Sequence, residues 1–329
     1  MIADILILVV GLVLVVLGAD WLVDGSSSIA RKAGLSEFVI GLTIVGIGTS
    51  SPELVVSLTG ALKGNADIAI GNIVGSNIFN ALFILGFTAL VRPIAMTREN
   101  VRIDIPINIV VTILLILFGM HHTLFGIGSE NTLSRLDGLV FLLLFAAYMY
   151  WSFKSGKADA SEAEAAEKDS RKIWVAVLMV VFGLAALVFG GDKFVGSATN
   201  IAHRLNISDK FIAVTILAGG TSMPELVTCI VAAAKKKGQL ALGNILGSNI
   251  CNILLILGAS ALAYRPQPGS PSGLSFSGMT FIDLGILLLG AILILISAYT
   301  GKGRKMDRVE GGFFVLCFAG YMAWLLINL

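Results

Sequence analysis

Two glutamates, Glu53 and Glu225, each lie within an apolar run long enough to cross a bilayer. An ionised side chain at that depth costs about 2.5–3.5 kcal/mol on insertion scales, so it needs a compensating partner. No Lys or Arg lies in the central part of any of the chain's apolar runs. A bound cation or protonation of the carboxyl groups must therefore neutralise the glutamates.

The residues around the glutamates supply oxygen donors. In both runs Pro lies directly before the glutamate; a proline within a helix releases the carbonyl four residues earlier, here that of Gly48 or Gly220. Such carbonyls are tolerated in a membrane where they line a cavity or bind an ion. Side chains four residues apart share one helix face, so each Ser/Asn pair would stack beside a kink. The side-chain donors are Thr49, Ser50, Ser76, Asn80, Thr221, Ser222, Ser248 and Asn252.

This set of hard oxygen donors contains neither thiolate nor imidazole, which favours Na⁺, Ca²⁺ or Mg²⁺ over zinc or copper. Mg²⁺ fits less well because it dehydrates reluctantly. Helix packing is the competing interpretation for Ser, Thr and Asn in apolar helices. It does not account for two glutamates in equivalent settings.

The equivalence comes from an internal repeat at an offset of 172 residues. Residues 39–63 and 211–235 share 12 of 25 identities, and residues 71–86 and 243–258 share 12 of 16. Each copy holds five predicted spans, and an odd number places the second copy in the opposite sense. An inverted repeat of this kind is typical of secondary transporters, whose binding sites lie near the bilayer midplane.

The composition supports the membrane assignment, because only 13% of the 329 residues are charged and 56% are hydrophobic. A net charge of +2 gives no indication of nucleic-acid binding. We predict an all-α polytopic membrane protein in which ten transmembrane helices form two inverted five-helix repeats, at 1–153 and 173–329. The most similar stretches of the repeats lie at about 38–90 and 210–262. The ten spans are 2–22, 38–60, 67–90, 103–121, 136–153, 173–191, 210–233, 239–263, 280–299 and 309–328.

The basic residues predict the orientation of these spans. Seventeen Lys and Arg residues fall on the face that holds the 154–172 linker, and six fall on the face that holds both termini. By the positive-inside rule the linker is cytoplasmic and both termini are outside. We expect an integral protein of a prokaryotic plasma (inner) membrane.

The two motifs resemble the α-repeats of the cation/calcium exchanger superfamily, the sodium/calcium exchangers. The shared pattern is G-T-S-x-P-E followed by G-N-x-x-G-S-N-I, and it occurs twice here. The resemblance implies an antiporter, not an enzyme, in which Na⁺ moving down its gradient expels Ca²⁺ by alternating access. It implies no cofactor and no obligate protein partner.

The resemblance also implies ligands. The Ca²⁺ site would use Glu53, Glu225 and the carbonyls of Thr49 and Thr221. The glutamates would be shared by both ions, so that Na⁺ and Ca²⁺ exclude one another. The Na⁺ sites would use Ser50, Ser76 and the Gly46 carbonyl in one half, and Ser222, Ser248 and the Ala218 carbonyl in the other.

One position departs from the pattern: many sodium/calcium exchangers have Asp where this chain has Asn252. Because Asn does not titrate, the site carries at most two negative charges, which leaves the Na⁺ stoichiometry and any K⁺ dependence open. The alternative function is a Ca²⁺/H⁺ antiporter of the same superfamily, and Mn²⁺ stays open as a further substrate. The repeated hydroxyls favour sodium, because a proton needs no hydroxyl cage.

Overall fold

The computed structural model describes residues 2–157, 171–205, 219–300 and 303–328, and these residues are predominantly helical. The first half contains α1 (Ile2–Ala33), α2 (Glu37–Thr49), α3 (Ser51–Leu62), α4 (Ala66–Val91), α5 (Asn100–Gly119), α6 (His121–Phe125) and α7 (Arg135–Ser155). The second half contains α8 (Ile173–Arg204), α9 (Met223–Ala234), α10 (Gly238–Ala263), α11 (Phe281–Thr300) and α12 (Arg308–Asn328).

Eight of the described helices are long and apolar enough to span a membrane, and α2 with α3 forms a further span bent by 49°. These nine correspond to nine of the ten predicted spans. The tenth, 210–233, begins outside the described residues, and its described part contains the apolar helix α9. The all-helical membrane architecture predicted from the sequence is therefore confirmed, although the count of ten is not.

Two predicted spans are longer in the structure. The helices α1 and α8 have 32 residues each, where the sequence predicted spans ending at residues 22 and 191. At a rise of 1.5 Å per residue each is about 48 Å long, which exceeds the roughly 30 Å hydrocarbon core. The extension of α1 contains Gly25 and three serines that are buried, so protein packing replaces the apolar signal there.

The helices α1 and α8 cross one another, and glycines lie at the points where their backbones are in contact. A Cβ on Gly18 would lie 2.7 Å from the carbonyl oxygen of Gly183, and one on Gly190 would lie 2.9 Å from that of Gly11. Small residues let membrane helices approach at backbone distance. Because Gly11 and Gly18 are equivalent to Gly183 and Gly190 under the 172-residue offset, this crossing lies on the pseudo-two-fold axis.

The remaining helices interlock across the repeats. Gly86 on α4 meets Gly311 on α12, and Gly258 on α10 meets Gly138 on α7; a Cβ on any of these glycines would lie 2.7–3.0 Å from the carbonyl oxygen of its partner. Gly243 on α10 lies against the backbone of α2 at Phe38. The helices that carry the two motifs therefore pack at backbone distance against helices from the opposite half.

Short β-ladders and ion pairs join the chain segments at each of the two ends of the helices. Short antiparallel ladders join β1 (Ile94–Ala95) to β4 (Lys305–Met306) and β2 (Thr132–Leu133) to β3 (Leu274–Ser275). Lys235 contacts Asp20 at 2.6 Å and Asp24 at 2.9 Å, whereas Arg204 contacts Asp4 at 3.3 Å. Every one of these contacts joins segments that the sequence places on the same face.

Candidate cation site

Each glutamate lies in the first turn of a helix that starts at a bend in the chain. Pro52 occupies the first turn of α3 and Pro224 that of α9, and the residues before these helices, Ser50 and Ser222, have matching backbone angles of φ −78°, ψ 10° and φ −87°, ψ 11°. Proline is favoured at this position because no helical acceptor exists for its missing N–H. Glu53 and Glu225 therefore lie just after a helix start and not at a kink within one continuous helix.

The Gly48 and Gly220 carbonyls, which the prolines were expected to release from the helix, each have a local donor. The Gly48 carbonyl accepts a hydrogen bond from the Ser51 hydroxyl at 2.6 Å, and the Gly220 carbonyl accepts one from the Met223 backbone N–H at 3.3 Å. The prolines start helices at a bend instead of interrupting continuous ones, so local donors reach both oxygens.

The two glutamates are fully buried and bound by serines from both repeats. Across the repeats, Ser222 donates to Glu53 Oε1 at 2.9 Å and Ser50 donates to Glu225 Oε1 at 2.9 Å. Within a repeat, Ser76 lies 3.3 Å from Glu53 Oε1 and the equivalent serine, Ser248, lies 3.4 Å from Glu225 Oε1. The sequence-predicted glutamates and four serines thus form one cluster with two-fold pseudo-symmetry.

The Ser/Asn pairs lie on α4 and α10 at equivalent places in the helix pattern. Both helices change from α to π geometry one residue before the asparagine, at Phe79 and at Cys251. A π segment inside an α-helix is frequent at functional sites because it redirects side chains. Asn80 and Asn252, 1% and 0% exposed, are the single asparagines of these two segments.

Four acceptor oxygens in this region are buried without a hydrogen-bond partner among the described residues: Oε2 of Glu53 and Glu225 and Oδ1 of Asn80 and Asn252. Buried polar atoms without partners are rare in proteins and call for an explanation. No described Lys or Arg forms an ion pair with either glutamate. Hard oxygens that lack a donor are the type of ligand that Na⁺ and Ca²⁺ take.

The other predicted ligands differ in their surroundings. The Gly46 carbonyl accepts the Ser50 N–H at 3.2 Å and lies 3.3 Å from the Ser248 hydroxyl. Thr49 is buried and its hydroxyl donates to Asn244 Oδ1 at 3.1 Å. Thr221, by contrast, is half-buried and borders a cavity. Ala218, the last predicted carbonyl ligand, lies outside the described residues.

Sequence reasoning missed two asparagines that support the glutamate helices. Asn72 donates to the Glu53 carbonyl at 3.2 Å and to the Ser57 hydroxyl at 2.9 Å. Its repeat partner, Asn244, donates to the Cys229 thiol, which stands where the first repeat has Ser57. The signal was the repeated Gly-Asn dipeptide at the start of both G-N-x-x-G-S-N-I motifs.

It also missed Asn77 and Asn249, which join the repeats. Asn77 Nδ2 donates to the Asn249 carbonyl at 3.1 Å, Asn80 Nδ2 donates to Asn249 Oδ1 at 3.1 Å, and Asn252 Nδ2 donates to Asn77 Oδ1 at 2.9 Å. Asn77 and Asn249 are the N of the repeated G-S-N-I, so the sequence contained their signal as well.

The model for the sodium/calcium exchanger protein family matches residues 3–154 and 175–327. The chain belongs to this family. The resemblance seen in the two motifs is therefore confirmed over nearly the whole of both repeats, and the exchanger is a cation antiporter by family.

Three relatives show how closely the exchanger matches known proteins over its full length. It is 38% identical to the putative antiporter CaxA of Alkalimonas amylolytica over 98% of both chains. It is 33% identical to the sodium/calcium exchanger MaX1 of Methanosarcina acetivorans, over 98% of this chain and 97% of that one. Its structure superposes on that of the sodium-calcium exchanger NCX_Mj with a TM-score of 0.81, at 30% identity over 98% of both chains.

Proposed function

We propose that this exchanger couples Na⁺ entry to Ca²⁺ transport at one shared site between Glu53 and Glu225. The observation that carries the proposal is the set of four unpartnered buried oxygens, two from carboxylates and two from amides, contributed equally by both repeats. Hydroxyl groups from both repeats complete the set.

The charge of the site explains why the two ions would exclude each other. Two carboxylates balance one Ca²⁺ or two Na⁺, and Asn252 adds no further charge. A bound Ca²⁺ uses the charge of both carboxylates, so no negative charge is left to balance additional sodium ions. Burying those ions without compensation would be costly. Competition for the same two carboxylates is the physical basis of exchange.

Alternating access is supported by a difference between the two ends of the site. A cavity of about 500 Å³ borders both helix starts and the middle of α8; its lining includes Pro52, Asp192, Gly196, Thr221 and Pro224. At the opposite end Lys235, after α9, is bound to Asp20 and Asp24 of α1. Burial lowers the pKa of Lys235, but its hydrogen bonds to these aspartates outweigh burial and hold the pKa above its usual value.

The two halves, 1–153 and 173–329, would act as inverted units. When the site opens to the other side of the membrane, each half would adopt the conformation that the other half has now. In that exchange the Lys235–Asp20 contact has an equivalent pair of positions at the other end, Lys63 and Asp192. Within the described residues Lys63 forms no ion pair and Asp192 contacts Lys193 at 3.3 Å. Ion pairs therefore join the helices at the Lys235 end and not at the equivalent pair of positions, which is the asymmetry that alternating access requires. By the basic-residue count that end is cytoplasmic in a prokaryotic inner membrane.

The decisive experiment is ⁴⁵Ca²⁺ uptake into proteoliposomes that contain the purified exchanger. Vesicles loaded with Na⁺ and diluted into Na⁺-free buffer should accumulate Ca²⁺, whereas vesicles that carry only a pH gradient should not. Uptake driven by the pH gradient and indifferent to Na⁺ would replace this function with Ca²⁺/H⁺ antiport. Unlabelled Mn²⁺ added to the same assay shows whether a second divalent ion shares the site.

A further inference from the structure

Asn77 and Asn249 form a chain of amide hydrogen bonds between the repeats without a hydrogen bond to either glutamate. Both are nearly fully buried, at 1% and 3% exposed. They connect α4 to α10 in both directions: Asn77 on α4 contacts Asn252 on α10, and Asn249 on α10 contacts Asn80 on α4. Their partners are the two asparagines whose oxygens lack donors.

The backbone carbonyl at one end of this chain fixes which way the Asn77 and Asn252 amides face. The backbone carbonyl of Asn249 can only accept, so the Asn77 atom that meets it must be the NH₂ group. The Asn77 oxygen therefore faces Asn252 and needs a donor there. Asn252 must present its own NH₂ to Asn77, which turns its Oδ1 away from the chain.

The turned oxygen is the one that is buried without a partner. Asn252 lies four residues after Ser248, which reaches Glu225, so its side chain is one turn from the carboxylate cluster. The same relation joins Asn80 to Ser76 and Glu53. The Asn249 backbone carbonyl thus determines, through the Asn77 and Asn252 amides, that an oxygen and not an NH₂ group faces the proposed cation.

We propose that Asn77 and Asn249 are positioning residues that hold the Asn252 and Asn80 oxygens toward the transported cation. The proposal rests on the cation site proposed above. In this chain Asn252 supplies the donor that the Asn77 oxygen requires, and it adds no charge to that of the two glutamates.

A double-mutant cycle tests this indirect role. Equilibrium ⁴⁵Ca²⁺ binding is measured on purified wild-type protein, Asn77→Leu, Asn252→Leu and the double variant. Loss of a group that orients a metal ligand typically weakens affinity about 10–100-fold. We expect a loss of that size from Asn77→Leu in the wild-type background and a loss of under about 3-fold in the Asn252→Leu background, because the residue acts through Asn252.

The cycle includes controls for folding. Asn108 on α5 is 1% exposed and its amide makes no hydrogen bond in the described structure, so Asn108→Leu should leave the Ca²⁺ dissociation constant within about 2-fold. Thermal unfolding in detergent checks each protein. Asn77→Ala, which cannot overpack the site, gives the same cycle where Asn77→Leu does not fold.

Three results are distinguishable. A loss confined to the background that retains Asn252 supports the positioning role. An Asn77 variant that binds Ca²⁺ like the wild type, or one whose loss has the same size in both backgrounds, overturns it. Wild-type protein that binds no Ca²⁺ overturns the proposed cation site itself, and with it the role of Asn77.

Discussion

The Ser222 hydroxyl donates a hydrogen bond of 2.9 Å to the Glu53 carboxylate, although the two residues lie 169 positions apart in the chain. Ser50 and Glu225 repeat this contact at 2.9 Å in the opposite sense. Each repeat therefore supplies a hydroxyl donor to the carboxylate of the other. Neither half of the exchanger holds the complete cluster, so the proposed cation site lies at the interface between the halves.

Neutralising either glutamate should abolish Ca²⁺ transport without preventing folding. Glu53→Gln and Glu225→Gln keep the shape of the side chain and remove the charge that a divalent cation requires. We expect ⁴⁵Ca²⁺ uptake at the level of empty proteoliposomes and a single symmetric peak in size-exclusion chromatography. Wild-type flux in either variant would show that the cation is bound elsewhere.

The two serines that contact the glutamate of the opposite repeat, Ser50 and Ser222, should contribute equally to the apparent affinity for Ca²⁺. Hydrogen bonds to charged groups contribute about 1.5–3 kcal/mol, so Ser50→Ala and Ser222→Ala should each raise the apparent KM for Ca²⁺ by about 10-fold or more. Ser51→Ala is the matched control, because the Ser51 hydroxyl bonds the Gly48 carbonyl and no carboxylate. Uptake kinetics at varied Ca²⁺ measure all three; equal KM values in Ser51→Ala and Ser50→Ala would argue against the contact.

Two adjacent glycines on α8 should respond to alanine with opposite signs. A Cβ on Gly190 would lie 2.8 Å from the Leu14 Cβ, whereas a Cβ on Gly191 meets nothing within 4 Å. Gly190→Ala should lower stability by about 1–3 kcal/mol through overpacking, and Gly191→Ala should raise it by about 0.5–1 kcal/mol through helix propensity. Thermal unfolding in detergent reports both. Equal shifts would mean that the α1–α8 crossing is looser than described.

The predicted orientation can be read from thiol labelling. Lys157→Cys lies at the start of the linker and Ser129→Cys lies in the exposed loop before β2, which the sequence places on the opposite face. Both are made in a Cys317→Ser background, since Cys229 and Cys251 are buried. An impermeant maleimide added to intact cells should label the Ser129 variant only. Labelling of the Lys157 variant alone would reverse the orientation.

Much of the site could be predicted because the internal repeat allows one half of the sequence to be compared with the other. The 172-residue offset pairs Glu53 with Glu225 and each serine with its counterpart, and the structure brings all of the paired glutamates and serines together. The repeated glutamates and serines lie where the two halves meet, so that each side chain and its counterpart line one cluster. Identity between the copies therefore carried three-dimensional information.

Other features could not be predicted, for separate physical reasons. Pro52 marks a helix start at a 49° bend, and a proline has the same sequence signature in a kink and in a first turn. The end of α1 at Ala33 depends on burial of Gly25 and its neighbouring serines by other helices, which hydropathy does not register. Asn77 acts through a backbone carbonyl from the other repeat, a contact that only the folded chain contains.

The most direct test of the central claim is equilibrium ⁴⁵Ca²⁺ binding to the purified exchanger at increasing Na⁺ concentration. One shared site predicts one Ca²⁺ per chain at saturation, with an apparent dissociation constant that rises with Na⁺ while the stoichiometry stays constant. Ca²⁺ binding that is unaffected by Na⁺, or that persists in the Glu53→Gln/Glu225→Gln double variant, would contradict it.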